Sequence, residues 1–355
     1  MKSLVPSKEI SIFIPAKNRP DLLINMLRYF CKNNFEGPIY IGDSSSPEHV
    51  EKVKKELVAL KGKINVVYAE YPGWSGPKAV SSLLSQVSTP YAVYTGDDDF
   101  LVPSALVQCA SFLERSSEFS VCSGKAILIA HKNGSSEISA GSYGTYRDLL
   151  GETASQRFLD FMSSYFVTLF AVHRTEAMKE AYKGIDTLPD WGFTELLPSC
   201  YSILQGKIKT IDCLSLVRQC HGGFRQSMPN VYDWLTCERW LPSYQQFESR
   251  LASLLSKKDN ISIEQSHEII KKCFWGWLAK GLYRKWMGQH QGDFANFKDR
   301  LKTSVKTIPL ATQFWRTLYS YMPRGKMTLP SLLRRSSPYH TDFLPVYQAI
   351  QNIKQ

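Results

Sequence analysis

Three consecutive carboxylates, Asp97, Asp98 and Asp99, close the segment Tyr91-Ala-Val-Tyr-Thr-Gly-Asp-Asp-Asp-Phe100, whose first four residues have strand character. Adjacent like charges raise one another's pKa and repel unless a cation lies between them. An all-oxygen donor set suits Mg²⁺ or Mn²⁺ better than zinc. The stretch therefore predicts a divalent-metal site at the carboxyl end of a strand. It also reads as a solvated acidic turn ahead of the helix that opens at Pro103, where carboxylates are favoured near the N-terminus. The elements around it decide between the two.

The first 115 residues alternate short apolar strands with amphipathic helices, the pattern of an α/β domain with a largely parallel sheet. Ile10 to Ile14 is a buried first strand, Pro15-Ala-Lys-Asn-Arg19 the loop at its end. Pro20 and Asp21 open a helix whose Leu23, Met26, Leu27 and Phe30 fall on one face. Residues 38–42 form a second strand ending at Asp43, followed by a lysine-rich helix over 47–60 and a third strand over 64–68. A glycine- and proline-marked loop, 71–76, precedes a helix from Pro77, and strand 91–95 then delivers the carboxylates. Ligands in such sheets bind at the carboxyl ends of the strands, where the loops at 15–19, Asp43 and 97–99 converge. Beyond this lie a strand over 119–130 with a hairpin turn at 131–134, a strand over 167–172 and a helix over 175–182. A helix after Asp190 runs to Gly206, and a mainly helical, aromatic-rich remainder starts near Val231.

With these elements in order, the run strand, Pro15-Ala-Lys-Asn-Arg-Pro20, helix, strand, Asp43-Ser-Ser, then Thr95-Gly-Asp-Asp-Asp-Phe-Leu-Val-Pro103 resembles the family-2-like glycosyltransferases of GT-A fold, over about residues 8–225. The resemblance implies a Rossmann-like, mixed but mostly parallel sheet flanked by helices. It implies that Pro15, Lys17, Arg19 and Asp43 line a nucleotide pocket, with Lys78 approaching the phosphates. The family's acidic cluster usually reads Asp-x-Asp-Asp with the central metal ligand five residues before a proline. That register puts Asp98 first as ligand and Gly96 where the leading Asp is expected. Asp97 is then a candidate for the missing role on the nucleotide-sugar, and Asp99 a further ligand. The family's base falls on Glu195, eleven residues before Gly206, with Asp190 as the substitute. His221, after the next strand, matches a position that supplies a histidine to metal or phosphate in several such enzymes.

The activity so implied is metal-dependent, inverting transfer of one sugar per encounter from a nucleotide-sugar, a UDP-sugar foremost, to a hydroxyl of a glycan or lipid-linked acceptor. Glu195 takes the acceptor proton, and Mn²⁺ or Mg²⁺ offsets charge on the diphosphate. Trp74 and Trp191 flank the expected acceptor side, each equally readable as core. Three rival classes remain. A nucleotidyltransferase needs a glycine-rich N-terminal loop, and residues 10–19 contain no glycine. A nucleic-acid-binding module has no recognisable signature here, and none is expected as partner. A GT-A-like domain that binds without catalysis is compatible with the missing leading Asp.

Charge divides the 355-residue chain. Residues 251–355 hold 17 Lys and Arg against 6 Asp and Glu, the whole net +11, so residues 1–250 are neutral. This shift suggests a GT-A domain over 1–225 and a basic, aromatic-rich helical region over 226–355 that faces something anionic, such as a membrane surface. On a helical wheel the cations of 269–286 are scattered, so a helical cap with a basic outer surface is the competing reading. Eight widely spread cysteines with no zinc-site spacing read as reduced, mostly buried thiols. The sequence has neither a charged-then-apolar leader nor a long apolar run, and it predicts a cytoplasmic protein, working at the inner face of the membrane if the basic region docks there.

Overall fold

The computed structural model describes residues 4–131, 138–144, 146–220, 230–290 and 327–352. His221 and the proposed hairpin turn beyond residue 131 therefore lie outside the described residues.

Helices start where proline or glycine permits. The α1 helix (Pro20–Lys32), α2 (Pro47–Leu60), α3 (Gly76–Gln86) and α4 (Pro103–Arg115) each carry a proline in their first two positions, where the missing N–H has no intrahelical partner to lose. Between them run β1 (Ile10–Ala16), β2 (Ile39–Asp43), β3 (Val66–Glu70) and β4 (Tyr91–Tyr94), and after the acidic loop comes the two-residue β5 (Phe100–Leu101). The second half follows as β6 (Phe119–His131), β7 (Ile138–Ser142), α5 (Ala154–Ser163), β8 (Val172–Arg174), α6 (Thr175–Tyr182), α7 (Trp191–Gln205) and β9 (Lys207–Cys220).

Among the described residues nine strands make one sheet, in the order β3-β2-β1-β4-β8-β6-β9-β5, with β7 paired to β6. The N-terminal half is parallel. The change to antiparallel pairing comes at β4–β8. Residues 167–171 are not the strand expected from their apolar character; only from Val172 does the chain enter the sheet. The antiparallel pairing of β6 with β7 flanks the proposed hairpin.

Strand alternation sends β1 into two cores, one on each sheet face. Ile10, Ile12 and Ile14 pack with α1 and α4 on one side, whereas Phe13 joins α3, α6 and α7 on the other. The described residues from 230 onward contribute to both cores. The α8 helix (Val231–Thr236), α9 (Trp240–Asp259) and α10 (Ile263–His290) supply Trp234, Trp240, Phe247 and Phe274 to the second core. The α11 helix (Leu329–Leu332) and α12 (His340–Asn352) supply Leu332, Phe343, Val346 and Ile350 to the first. Asn25 Nδ2 donates to the Ala349 carbonyl at 3.0 Å, and Ser104 Oγ to Asp342 at 2.7 Å, fixing α12 against α1 and α4. Full burial of Phe343, Val346 and Ile350 contributes about 1.5–3 kcal/mol each. The described C-terminal segments thus cover both faces of the sheet.

All eight cysteines are free thiols, as expected. Among the described residues no helix is long and apolar enough to cross a membrane.

Candidate active site

The carboxyl ends of β1, β2 and β4 open onto a cleft of about 1950 Å³, lined among others by Pro15, Lys17, Arg19, Trp74, Asp98 and Glu195. Its floor is set by the loop after β1. Asn18 adopts a left-handed conformation (φ 55°) that asparagine tolerates better than most residues. Its N–H donates to Ser45 Oγ at 2.7 Å, and its Oδ1 accepts from the Ser46 N–H at 2.9 Å. The β1 loop is thereby pinned to the β2 loop, and Arg19 projects toward the acidic residues.

The three aspartates separate into three environments. Asp97 is fully buried, and Arg19 Nε donates to it at 3.2 Å, with Nη2 against its other oxygen. Asp99 is also buried; Arg218 Nε donates to it at 2.9 Å and the Gln219 N–H at 3.2 Å. Asp98 turns toward the cleft and accepts from Arg19 Nη1 at 2.8 Å. Burial pushes Asp97 up to about 7 against the pull of Arg19, and likewise raises Asp99 against the pull of Arg218. Two guanidinium groups, one from each side, offset this clustered charge. Gly96 belongs to the same arrangement, since a Cβ there would lie 2.8 Å from Asp98 Oδ1.

Arg218 is a cleft residue outside the site candidates read from the sequence. Its guanidinium stacks 4.9 Å from the Tyr143 ring and 4.7 Å from the Phe170 ring, and it lines the cleft. The signal that places it is β5–β9 pairing: Phe100, next to Asp99, sits opposite Val217, next to Arg218.

The fourth carboxylate comes from α7. Trp191, Thr194 and Glu195, at helical spacing i, i+3 and i+4, all face the cleft. Burial raises the Glu195 pKa above the usual glutamate range, opposed by the Tyr165 hydroxyl, which donates to its Oε1 at 3.4 Å, and by the charge of Arg218. Asp190 is spent differently. It caps α7, accepting from the Gly192 N–H at 2.8 Å and the Trp234 indole N–H at 2.8 Å. The substitute base of the sequence reading therefore sits as a helix cap, and it is not among the residues lining the cleft.

Other expectations shift in the same way. Lys78 Nζ lies 4.3 Å from the centroid of the Trp74 ring, and that ring, stacked on Tyr71 at 4.3 Å, forms the cleft wall. Lys78 is exposed, with its ammonium on the face of the Trp74 ring. Asp43 is buried at the end of β2, accepting from the Ser45 N–H at 2.9 Å and the Tyr68 hydroxyl at 2.8 Å, while its neighbour Ser44 lines the cleft. Asp97 sits behind Arg19 instead of facing a ligand.

Among the described residues, no three acidic, histidine or cysteine side chains converge as a self-sufficient metal cage. Mg²⁺ does not need one, because it is commonly held by one or two carboxylates together with substrate phosphates and water. Asp98, opening to the cleft beside two cations, fits that shared mode. Asp97, with no exposed side-chain surface, and Asp99, at the cleft but 1% exposed, fit it less well than Asp98 at 12%.

No protein-family model matches the sequence, and no curated protein matches it. Solved structures do match the fold. TarS of S. aureus, residues 1–349 in complex with UDP-GlcNAc, superposes with a TM-score of 0.50 at 13% identity, covering 76% of this chain and 72% of that one. The same fragment in complex with UDP gives a TM-score of 0.44 at 13% identity, over 75% and 70% of the two chains. A longer TarS structure gives 0.41 at 16% identity, over 70% of this chain and 43% of that one. The first of these establishes the architecture: a mixed, mostly parallel curled sheet with helices on both faces and a helical C-terminal region, the Rossmann-like GT-A arrangement.

Proposed function

We propose that this chain is a glycosyltransferase that moves a sugar from a UDP-sugar to an acceptor hydroxyl, with inversion and one sugar per encounter, in the building of a cell-surface glycan. The observation that carries the reading is the meeting of Lys17, Arg19, Asp98, Arg218 and Glu195 on one GT-A cleft. The likeness to a protein solved with UDP-GlcNAc supports the uridine donor. Lys17, Arg19 and Arg218 supply positive charge for a diphosphate. Glu195, made more basic by its buried setting, accepts the proton of the acceptor hydroxyl, and Trp74 and Trp191 offer flat faces for sugar rings. Asp98 would hold a Mn²⁺ or Mg²⁺ shared with the diphosphate, and such an ion offsets charge on the leaving group.

A thermal-shift series with UDP-, GDP-, CMP- and dTDP-sugars, with and without Mn²⁺, tests the donor class. At a hundred times Kd the matching ligand stabilises by about 3 kcal/mol, a shift of a few degrees, and it should also be slowly hydrolysed. Absence of any shift or hydrolysis with all four would remove the donor reading. A shift without turnover would leave a sugar-nucleotide-binding protein of the same fold.

The exposed side of α10 supports an anionic membrane surface as a second partner, where a lipid-linked acceptor resides. Trp275, Ala279 and Tyr283 are four residues apart and form one stripe, with Trp275 41% and Tyr283 61% exposed. Exposed Lys271, Lys272, Lys280 and Arg284 flank it, and residues 269–284 contain no acidic side chain. Such a mixture of exposed aromatic and basic side chains suits an interfacial role, although Lys272 pairs with Glu268 and Lys280 donates to the Ser163 carbonyl. Each cation near such a surface contributes about 1 kcal/mol, so Lys271→Glu with Arg284→Glu should weaken co-sedimentation with anionic vesicles at low salt. If the unaltered protein does not co-sediment, α10 is a helical cap only.

A further inference from the structure

A single side chain bridges two of the three aspartates. Arg19 holds buried Asp97 through Nε and Nη2, and cleft-facing Asp98 through Nη1. Its backbone is fixed, because Asn18 is tied to Ser45 and Ser46 and the Arg19 carbonyl accepts the Leu23 N–H at 3.2 Å in the first turn of α1. Only side-chain rotation can move the guanidinium. Two of its three contacts lie on the deep carboxylate, so opening the third leaves it anchored at Asp97 with Nη1 turned to the cleft. Arg218 differs, held between Tyr143 and Phe170 on a carboxylate that is itself buried.

We propose that Arg19 is a resident counter-ion for Asp98, a latch that keeps a divalent cation off this carboxylate until a nucleotide diphosphate arrives. Resting on the proposed cation at Asp98, the inference adds the order of events. A cation alone must displace the guanidinium from Asp98 with nothing to receive it. A cation with its diphosphate supplies the carboxylate's new partner and, at the same time, phosphate oxygens for Nη1. Linkage makes the effect reciprocal: the diphosphate tightens cation binding by the factor by which the cation tightens the diphosphate.

Mn²⁺ binding followed by electron paramagnetic resonance, with and without UDP, tests the latch without any turnover. The unaltered protein should bind Mn²⁺ weakly alone and more tightly with UDP. Arg19→Gln should bind Mn²⁺ alone about tenfold more tightly, the size typical of coupling between paired charges, and lose a similar part of the UDP effect. Adding Asp98→Asn should erase that gain. Arg19→Lys keeps the charge without the fork and should fall between the two, serving also if the glutamine variant is poorly folded. A folded Arg19 variant, glutamine or lysine, with Mn²⁺ affinity no higher than the parent's would overturn the latch while UDP-dependent Mn²⁺ binding by the parent upholds the cation reading. No Mn²⁺ binding by the parent even with UDP would overturn both.

Discussion

The Glu195→Gln variant is expected to fold, to bind the donor nucleotide as the parent does, and to turn over about a hundredfold or more slowly. Glutamine keeps the size of the side chain and a partner for the Tyr165 hydroxyl, while the proton acceptor is lost. The pH profile adds a second readout. The base acts when ionised, so activity rises as pH passes its pKa; since burial lifts that pKa, the acid limb of kcat/KM should lie above the ordinary glutamate range and vanish in the variant. Asp190→Ala provides the contrast. It removes a helix cap and leaves the Trp234 indole N–H without its acceptor, so it should lower stability by about 1 kcal/mol or more rather than act on the chemistry. Turnover of Glu195→Gln within about threefold of the parent would show that the proton goes elsewhere.

The second large effect is expected from Asp98→Asn. Asp98 and Asp99 both line the cleft, but Asp98 keeps 12% of its side chain exposed against 1% for Asp99, so its loss should abolish transfer and the Mn²⁺-dependent part of nucleotide affinity. The melting temperature should change little, because the Asp98 side chain retains 12% exposure and asparagine can still accept from Arg19. Calorimetric titration of UDP with and without Mn²⁺ reads this directly, and equal Mn²⁺ dependence in parent and variant would move the cation to another residue. The same substitution at Asp97 or Asp99 is expected to act on stability as well, since each is the counter-charge of a partly buried arginine.

The parallel half of the sheet, the proline-started helices and the acidic loop at the end of β4 were all legible in the sequence. They depend on apolar periodicity and on residues that restrict φ locally, interactions that reach only a few positions along the chain. The register of the resemblance, counted from Gly206, pointed to Glu195, and that residue lines the cleft. Val167–Ala171 misled because an apolar run reads as strand whether it joins a sheet or packs in a loop beneath one, and here Phe166, Leu169 and Phe170 pack as core without a strand partner.

The surroundings of each aspartate are set by pairing over distance. Arg19 lies 78 and 79 residues from Asp97 and Asp98, and Arg218 lies 119 from Asp99, so no local rule distinguishes three adjacent aspartates. The charge shift after residue 250 likewise signalled a second module, whereas Phe274 is buried on one sheet face and Phe343 on the other, so the described C-terminal segments pack onto the sheet. Sequence by itself determined the elements and the composition of the site, because secondary structure follows short-range sterics and periodicity. Only the tertiary structure decided the burial, the ion-pair partner and the facing of each carboxylate, because those depend on guanidinium groups and neighbours that folding brings from remote parts of the chain.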